Sequence, residues 1–382
     1  MTRGGPERRR ELTQNLLLLT LTCLVLALAA EFGLREWQKA RRGTPVFSWL
    51  PDHRPETHFP YDPFLVFGPR INYQLPNKTH PELAFFNHQG FRTTDTIGAK
   101  PPGEFRIIAL GGSTTEDANT VEGWHWPLTL QEELRASGHT NVRVLNAGMG
   151  AYSSAHSLVQ LEFDMLQFQP DLVLVMHNVN DLTVNYYAAR FGQRVDPSYH
   201  VKFGIKSYTG VVDDRDVVLS RLWHSARVRL DRLLHGVPTG AISDSISIDE
   251  GLAAFQRNLR SIAAVGRAHG TEVVMLTMPV SRSREIYDST RAQARGSDPG
   301  YFPSHRRFLR DFDAYNDAVK AVGQAASVAV IDMEAAMRGH DATFFLDVVH
   351  YSDEGSRTFG RTLAAELAPL LPAAAGTPSI SR

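Results

Sequence analysis

The sequence predicts an α/β protein: a three-layer α/β/α sandwich around a central, mainly parallel sheet of about five strands, preceded by an apolar N-terminal helix. Three observations predict it. Short apolar runs alternate with stretches of helical period, the runs themselves show no polar alternation, and a long apolar stretch stands apart from this alternation at the N-terminus. A strand covered on both faces has no solvent side on which to place polar residues. Apolar runs separated by helices therefore specify a parallel sheet with helices on each face. A chain of 382 residues accommodates this as one large domain with insertions.

The N-terminal stretch "NLLLLTLTCLVLALAAEFGL" follows the basic "ERRR" and is apolar from Leu16 to Ala30 apart from two threonines. That approaches the roughly 20 residues needed to cross a bilayer. A buried core helix would be apolar on one stripe only, whereas this run is apolar all round. The reading is a cytoplasmic basic tail over 1–15 and a single-pass anchor over 16–34, with a signal sequence as the other membrane reading because Ala27-Leu28-Ala29 resembles a cleavage site. The apolar run extends toward Leu34 and the charged "REWQKARR" follows, which favours an uncleaved anchor. Basic residues flank both ends about equally, so the positive-inside rule does not orient the span, and an extracytoplasmic main domain is an expectation. Around Cys23, "LTLTC" lacks the small residue that lipoprotein processing requires.

Residues 35–102 read as an irregular leader wrapping the main domain: from Pro45 onward they are rich in proline, aromatics and histidine without a sustained period, and so many aromatics would be costly to leave in water. The main domain spans 103–372. Its strands are "RIIAL", "VRVLNA", "DLVLVMH", "EVVMLTMP" and "VAVIDM", and its helices lie near Trp124 to Ala136, Ser154 to Gln167, Leu252 to His269, Phe308 to Gln324 and Glu354 to Leu371. Residues 184–248 interrupt the pattern and read as an insertion above the sheet that shapes the site; 373–382 read as a flexible tail.

Composition removes several function classes. Forty Lys and Arg against 41 Asp and Glu leave no basic footprint for nucleic acid or an anionic surface, so small or uncharged partners are expected. Cys23, the one cysteine, sits in the apolar run and leaves the main domain without a disulfide, a zinc knuckle or a thiol nucleophile. Nucleophilic chemistry must come from oxygen or nitrogen.

Ligands of open parallel sheets bind at the carboxyl ends of the strands, which directs attention to four short segments. After the first strand, "GGSTT" presents Ser113; alone it reads as a turn with a helix cap, and the absence of a following lysine argues against a phosphate cradle. "NAGMGAYSS" follows the second strand and is only a partial dinucleotide fingerprint. "HNVNDL" follows the third, where Asn180 and Asp181 alone would be turn formers. Near the end, "LDVVHYSDEG" places Asp347 three residues before His350. Each has a bland explanation. On a doubly wound sheet, however, all four converge on one edge.

Together these segments resemble the four ordered blocks of the SGNH (GDSL-like) hydrolase family, especially its membrane-anchored or exported bacterial members with a Gly-Gly-Ser-Thr first block; "NHQGFRTTD" and "WHWPLTL" are similar to that subgroup too. The resemblance covers roughly Tyr61 to Leu371 without the insertion and implies an SGNH/flavodoxin-like sheet. It implies Ser113 as nucleophile, His350 as general base and then acid, and Asp347 as the group that orients the imidazole. It implies an oxyanion hole formed by the Ser113 amide, an amide at Gly150 or Ala151, and the Asn180 side chain. Two departures stand out: Asn178 occupies a position usually held by glycine in the third block, and Ala151 aligns best with the usual second-block glycine, which puts substrate width at that edge in doubt.

The activity so implied is a serine esterase acting on an O-acyl ester, O-acetyl among the candidates, through an acyl-enzyme, with no metal or organic cofactor. The substrate is a small-molecule, glycan or lipid ester, and the membrane is met through the N-terminal helix. An O-acyltransferase acting on an envelope glycan or lipid, and a catalytically silent glycan-binding or assembly protein, are the alternatives; no oligomeric state is implied. The remaining candidates have structural readings: Trp124 and Trp126 as core, His125 and His156 as surface or packing residues, Asp181 as a turn holder, and "RSREIYDSTRAQAR" and "HRRFLRDF" as solvated, charge-rich segments.

Overall fold

The computed structural model describes residues 6–42, 61–62, 64–74, 85–120, 124–190, 247–294 and 303–372, with a few positions between 220 and 230. The chain divides into two units: Met1–Thr57 with Lys206–Pro238, and His58–Ile205 with Thr239–Arg382.

In the first unit, helix α1 runs Pro6–Arg42 and contains a 33-residue stretch, Arg8–Ala40, long and apolar enough to cross a membrane. The helix outlasts the apolar run because "REWQKARR" consists of good helix formers and no Gly or Pro follows before Gly43. Residues 35–42, read above as the start of the leader, are therefore helical. Glu31 bonds Arg35 at 2.6 Å, and it also accepts from Ser220 Oγ at 3.0 Å and the Leu222 amide at 2.8 Å. Lys206–Pro238, part of the expected insertion, thus belongs to this unit rather than to the sheet-bearing one. The rest of that insertion between 191 and 246, including "YTGVVDD", lies largely outside the described residues, as does the tail 373–382.

The second unit is built on a five-stranded parallel sheet in the order β2-β1-β3-β4-β5, where β1 is Phe105–Gly111, β2 Val142–Asn146, β3 Leu172–Met176, β4 Glu272–Leu276 and β5 Ala329–Ile331. Ile107 to Leu110 and all of β3 are buried, as expected for strands covered on both faces. Each such aliphatic side chain contributes roughly 1.5–3 kcal/mol by leaving water.

The helices follow in order: a one-turn α2 (Ser113–Glu116), α3 (Trp126–Ala136), α4 (Ser154–Gln160), α5 (Val179–Arg190), α6 (Asp249–Ala268), α7 (Arg284–Ala294), α8 (His305–Ala326), the short α9 (Met333–Ala336) and α10 (Asp341–Phe344), and α11 (Asp353–Leu367). Helix α3 packs on α11, while α4 and α8 pack on α6, giving the two helical layers. The single helix expected over Ser154 to Gln167 is instead α4 followed by a π turn, Leu161–Met165, and a 3-10 turn, Leu166–Phe168.

The described part of the leader forms two short antiparallel pairs, Tyr61–Asp62 with Val66–Phe67 and Tyr73–Gln74 with Phe85–Phe86. Several of its aromatics are buried, while Phe64 is exposed. Phe67 and Phe86 cluster with Leu65, Met149 and Tyr152, and Phe91 packs edge-on against Phe168 in the main core. This second cluster supports the turn after β2 from outside: Tyr152 Oη donates to the Phe67 carbonyl at 3.0 Å.

Candidate active site

The strand order 2-1-3-4-5 reverses direction between β1 and β3, and the crevice at the carboxyl ends of such strands is where doubly wound sheets bind ligands. Ser113 stands there, two residues beyond Gly111, the last residue of β1. It is the first residue of α2 and not its cap. That position belongs to Gly112, which is extended at φ −87°, ψ −154°.

Neither glycine preceding Ser113 needs positive φ; both are required by close approach. A Cβ on Gly111 would overlap Thr115 Oγ1 and sit 2.8 Å from the Met176 carbonyl, and one on Gly112 would lie 2.6 Å from Asn180 Nδ2 and 3.1 Å from the Tyr152 carbonyl. A third close approach, between Gly148 and the backbone of Thr115 and Glu116, seats the turn after β2 directly on α2.

His350 reaches Ser113 from 237 residues away: Nε2 lies 2.8 Å from Ser113 Oγ. Its loop, between α10 and α11, is closed by the Leu346 amide donating to the His350 carbonyl at 2.8 Å, by the Phe345 and Tyr351 bridge, and by the Ser281 amide donating to Val348 at 2.9 Å. Asp347 holds the imidazole from the other side. Its Oδ2 is 2.6 Å from His350 Nδ1, while Oδ1 accepts the Val349 and His350 amides at 2.9 and 2.8 Å. A carboxylate acceptor at Nδ1 keeps the proton on that nitrogen, which leaves Nε2 free to accept from the serine hydroxyl. Burial pulls the His350 pKa down, but the Asp347 hydrogen bond and charge, with the charges of Asp117 and Glu116, outweigh it and raise it above the ordinary 6.5. For Asp347, burial pushes upward, and the His350 bond and charge together with the two amides bring the net value below the ordinary 3.8.

Asn180, in the first turn of α5, donates through Nδ2 to the Tyr152 carbonyl at 2.8 Å, which brings the third block against the second. In that second turn the Met149 amide donates to Gly111 at 3.1 Å and the Gly148 amide to Asn146 Oδ1 at 2.9 Å. The amides of Ser113, Gly150 and Ala151 donate to no group among the described residues. Ala151 adopts φ +63°, a left-handed conformation that costs a residue with a Cβ roughly 1–2 kcal/mol. The turn thus holds a side chain in a conformation that glycine adopts freely.

The other departure has a different outcome. Asn178 turns away from this edge and donates to the Phe312 carbonyl and to Asn316 Oδ1, both at 2.9 Å, so it packs on α8 and does not narrow the rim. Asp181 is fully buried and accepts the Ser154 amide at 3.0 Å and Ser154 Oγ at 2.5 Å, joining α5 to the start of α4. Burial lifts its pKa to about 7 against those bonds, and burial holds neighbouring His177 down at about 3.

One cluster beneath Ser113 was not foreseen. Asp117 ends α2 at φ +55°, and its Oδ2 accepts the Trp126 amide at 3.2 Å and Ser356 Oγ. Arg92 Nη1 donates to the carbonyls of Glu116 and Asp117, the latter at 2.5 Å. Burial raises the Asp117 carboxyl to about 6, opposed by Ser356, Arg92, the Trp126 amide and His350.

Among the remaining candidates, Trp126 is core, with Nε1 donating to the Thr114 carbonyl at 2.9 Å, and Trp124 lies near Arg357. His125 caps α3 and His156 stacks on Tyr152, so both pack rather than ligate. The expectation that "HRRFLRDF" is solvated fails: Phe308 and Phe312 are core, and Arg307 and Asp311 form a buried pair that also takes the Tyr186 hydroxyl. A cavity of about 610 Å³ lies between the leader and the α4 region, lined by Asp62, Arg70, Gln160 and Asp164 among others, and none of the proposed site residues lines it.

Residues 109–358 match the GDSL-like Lipase/Acylhydrolase family. No curated protein matches the chain. Similar solved structures include a lipase/acylhydrolase from Enterococcus faecalis, 18% identical, covering 70% of this chain and 97% of that one with a TM-score of 0.41. An acetylxylan esterase from Geobacillus stearothermophilus is 17% identical, covering 72% of this chain and 96% of that one with a TM-score of 0.40. A GDSL-like lipase from Bacteroides thetaiotaomicron is 14% identical, covering 72% and 93% with a TM-score of 0.40.

Proposed function

Since this chain belongs to the GDSL-like lipase/acylhydrolase family, we propose that it is a serine esterase that removes an O-acyl group, with O-acetyl as the first candidate, through an acyl-enzyme on Ser113. The observation that carries this reading is the continuous relay from Ser113 Oγ through His350 to Asp347, with steps of 2.8 and 2.6 Å.

A serine hydroxyl is a weak nucleophile until a base takes its proton. His350 Nε2 is that base: it accepts the Ser113 proton as Oγ attacks the ester carbonyl, and Asp347 stabilises the imidazolium that forms. Negative charge then develops on the former carbonyl oxygen. The Ser113 amide, an amide at Gly150 or Ala151 and the Asn180 side chain receive it, each such donor being worth about 10²–10³ in rate. His350 returns its proton to the leaving alcohol, and in the second half-reaction it takes one from water, which releases the acid.

Family membership and the relay favour hydrolysis over silent binding, and the acceptor decides between hydrolysis and transfer. Purified protein incubated with an activated acetyl ester, with and without an acetyl-free glycan, measures both. Acid release matching ester loss supports the esterase; transfer to glycan outrunning release makes the protein an acyltransferase. A fluorophosphonate that labels wild type and not Ser113→Ala assigns the nucleophile, and absence of labelling in wild type rejects the enzyme reading. We further propose that α1 tethers this domain to a membrane, which the apolar Arg8–Ala40 stretch supports, and that the domain lies on the extracytoplasmic side. A mature protein whose N-terminus begins after Ala29 would make the stretch a signal sequence instead.

A further inference from the structure

Asp117 carries two unfavourable features at once. It adopts φ +55°, a left-handed conformation that glycine adopts freely and an aspartate only at some cost, smaller than for most residues, and it places a carboxylate in the interior with only 3% of its surface exposed. A glycine would remove both. Strain held in place by its surroundings points to a role, and the surroundings show which.

The Asp117 amide donates to the Ser113 carbonyl at 2.8 Å, closing the turn that carries Ser113. Its side chain leaves that turn and receives donors from two other elements: the Trp126 amide at the start of α3, and Ser356 Oγ on α11. Ser356 is one turn into the helix whose cap, Ser352, stands two residues after His350, and the Ser356 amide donates to the Ser352 carbonyl at 2.8 Å. Asp117 therefore links the segment holding Ser113 to the segment holding His350. Arg92 donates to the carbonyls of Glu116 and Asp117 and fixes the same turn from the leader side.

We propose that Asp117 is a positioning residue for the esterase reaction: its carboxylate ties the Ser113 turn to α11 and so sets the separation between Ser113 Oγ and His350 Nε2. This rests on the reading of those two groups as the reacting pair. Asp347 fixes the direction of the imidazole, whereas Asp117 fixes the distance across which the proton passes. The carboxylate does not touch substrate, so its removal acts on turnover rather than on binding.

Three single variants and one double variant of the full chain test this, with kcat and KM measured on an activated acetyl ester and melting temperature recorded for each. Asp117→Gly accepts the left-handed turn and deletes the tether. Ser356→Ala deletes it from the other end. Asp117→Asn tolerates the same φ, and its Oδ1 can accept both donors. A loosened near-attack geometry lowers kcat by roughly ten- to a hundredfold for Asp117→Gly and Ser356→Ala while KM stays within about twofold. Asp117→Asn recovers to within about threefold of wild type, and the Asp117→Gly, Ser356→Ala double variant is no slower than Asp117→Gly by more than about twofold, because both break one link. Should Asp117→Gly lose its melting transition, Ser356→Ala and Asp117→Asn carry the test. The proposal is overturned by wild-type kcat in either deletion variant, by a rise in KM at constant kcat, or by an Asp117→Asn as slow as the deletions. Failure of the underlying reading looks different: wild type then neither hydrolyses the ester nor is labelled at Ser113, and the proposal falls with it.

Discussion

Gly112→Ala is a small perturbation aimed at one atom. The backbone at Gly112, φ −87° and ψ −154°, is open to any residue, so the substitution introduces no dihedral strain. What it introduces is a methyl group 2.6 Å from Asn180 Nδ2, where ordinary contacts begin near 3.4 Å; the amide must retreat by about 0.8 Å. The Tyr152 carbonyl, 3.1 Å from the same methyl, already binds that amide and cannot absorb the motion on its own. Misplacing an oxyanion donor by nearly an ångström forfeits most of its contribution, so kcat should fall by about 10², or close to 3 kcal/mol in the barrier. Overpacking costs about 1–3 kcal/mol of stability, offset in part by about 0.4–1 kcal/mol from stiffening the unfolded chain. The assay is steady-state hydrolysis of an activated acetyl ester by wild type, Gly112→Ala, Asn180→Ala and the double variant, with thermal melts alongside. If the glycine acts through Asn180, the double variant is about as slow as Asn180→Ala. Wild-type kcat in Gly112→Ala, or a further hundredfold loss when it is added to Asn180→Ala, would refute the reasoning.

Asp347→Asn keeps an acceptor for the Val349 and His350 amides but presents an N–H to His350 Nδ1; activity should drop by about 10²–10⁴ yet stay above that of Ser113→Ala, measured as ester hydrolysis. On the proposed mechanism His350 acts as base only when neutral, and its pKa is raised above the ordinary 6.5, so the acid limb of kcat/KM should have its midpoint above 6.5 and move lower in Asp347→Asn. Asp181, lifted from 3.8 to about 7, binds a proton in the folded state that the unfolded chain releases across that window, so it makes stability fall as pH rises through it; Asp181→Asn should flatten that fall, worth on the order of a few kcal/mol, in melts between pH 4 and 8. Ala151→Gly relieves a left-handed alanine and should be neutral to stabilising, by up to about 1 kcal/mol, without loss of kcat.

The sheet was legible because its signal is local and redundant. Ile107 to Leu110 and Leu172 to Met176 are short, wholly apolar runs that suit a strand covered on both faces, and neighbouring turn residues mark where each ends. The break after Gln160 was not legible, since the π turn Leu161–Met165 carries apolar residues at positions an uninterrupted helix would also use. Ser113, Asp347 and His350 were readable only as a set. Each segment has a common structural explanation, and what selected them was their order along a topology that returns every strand end to one edge. The charged start of α8 misled for the opposite reason: Arg307 and Asp311 look solvated one at a time, and become interior residues once paired with each other and with Tyr186.

Asp117 shows where local reading runs out. An aspartate four residues after a serine, at the end of a one-turn helix, is of a residue type common in turns, and nothing adjacent to it distinguishes a turn from a tether. The distinguishing partner, Ser356, lies 239 residues away on a helix whose other polar residues are half-buried or exposed. Two costs meeting at one residue, left-handed backbone and buried charge, become visible only when φ and burial are both known, and together they require a compensating set of bonds. The reacting groups of such a site are conspicuous because chemistry restricts their type; the groups that hold them at distance are restricted only by geometry, so coordinates reveal them and composition does not.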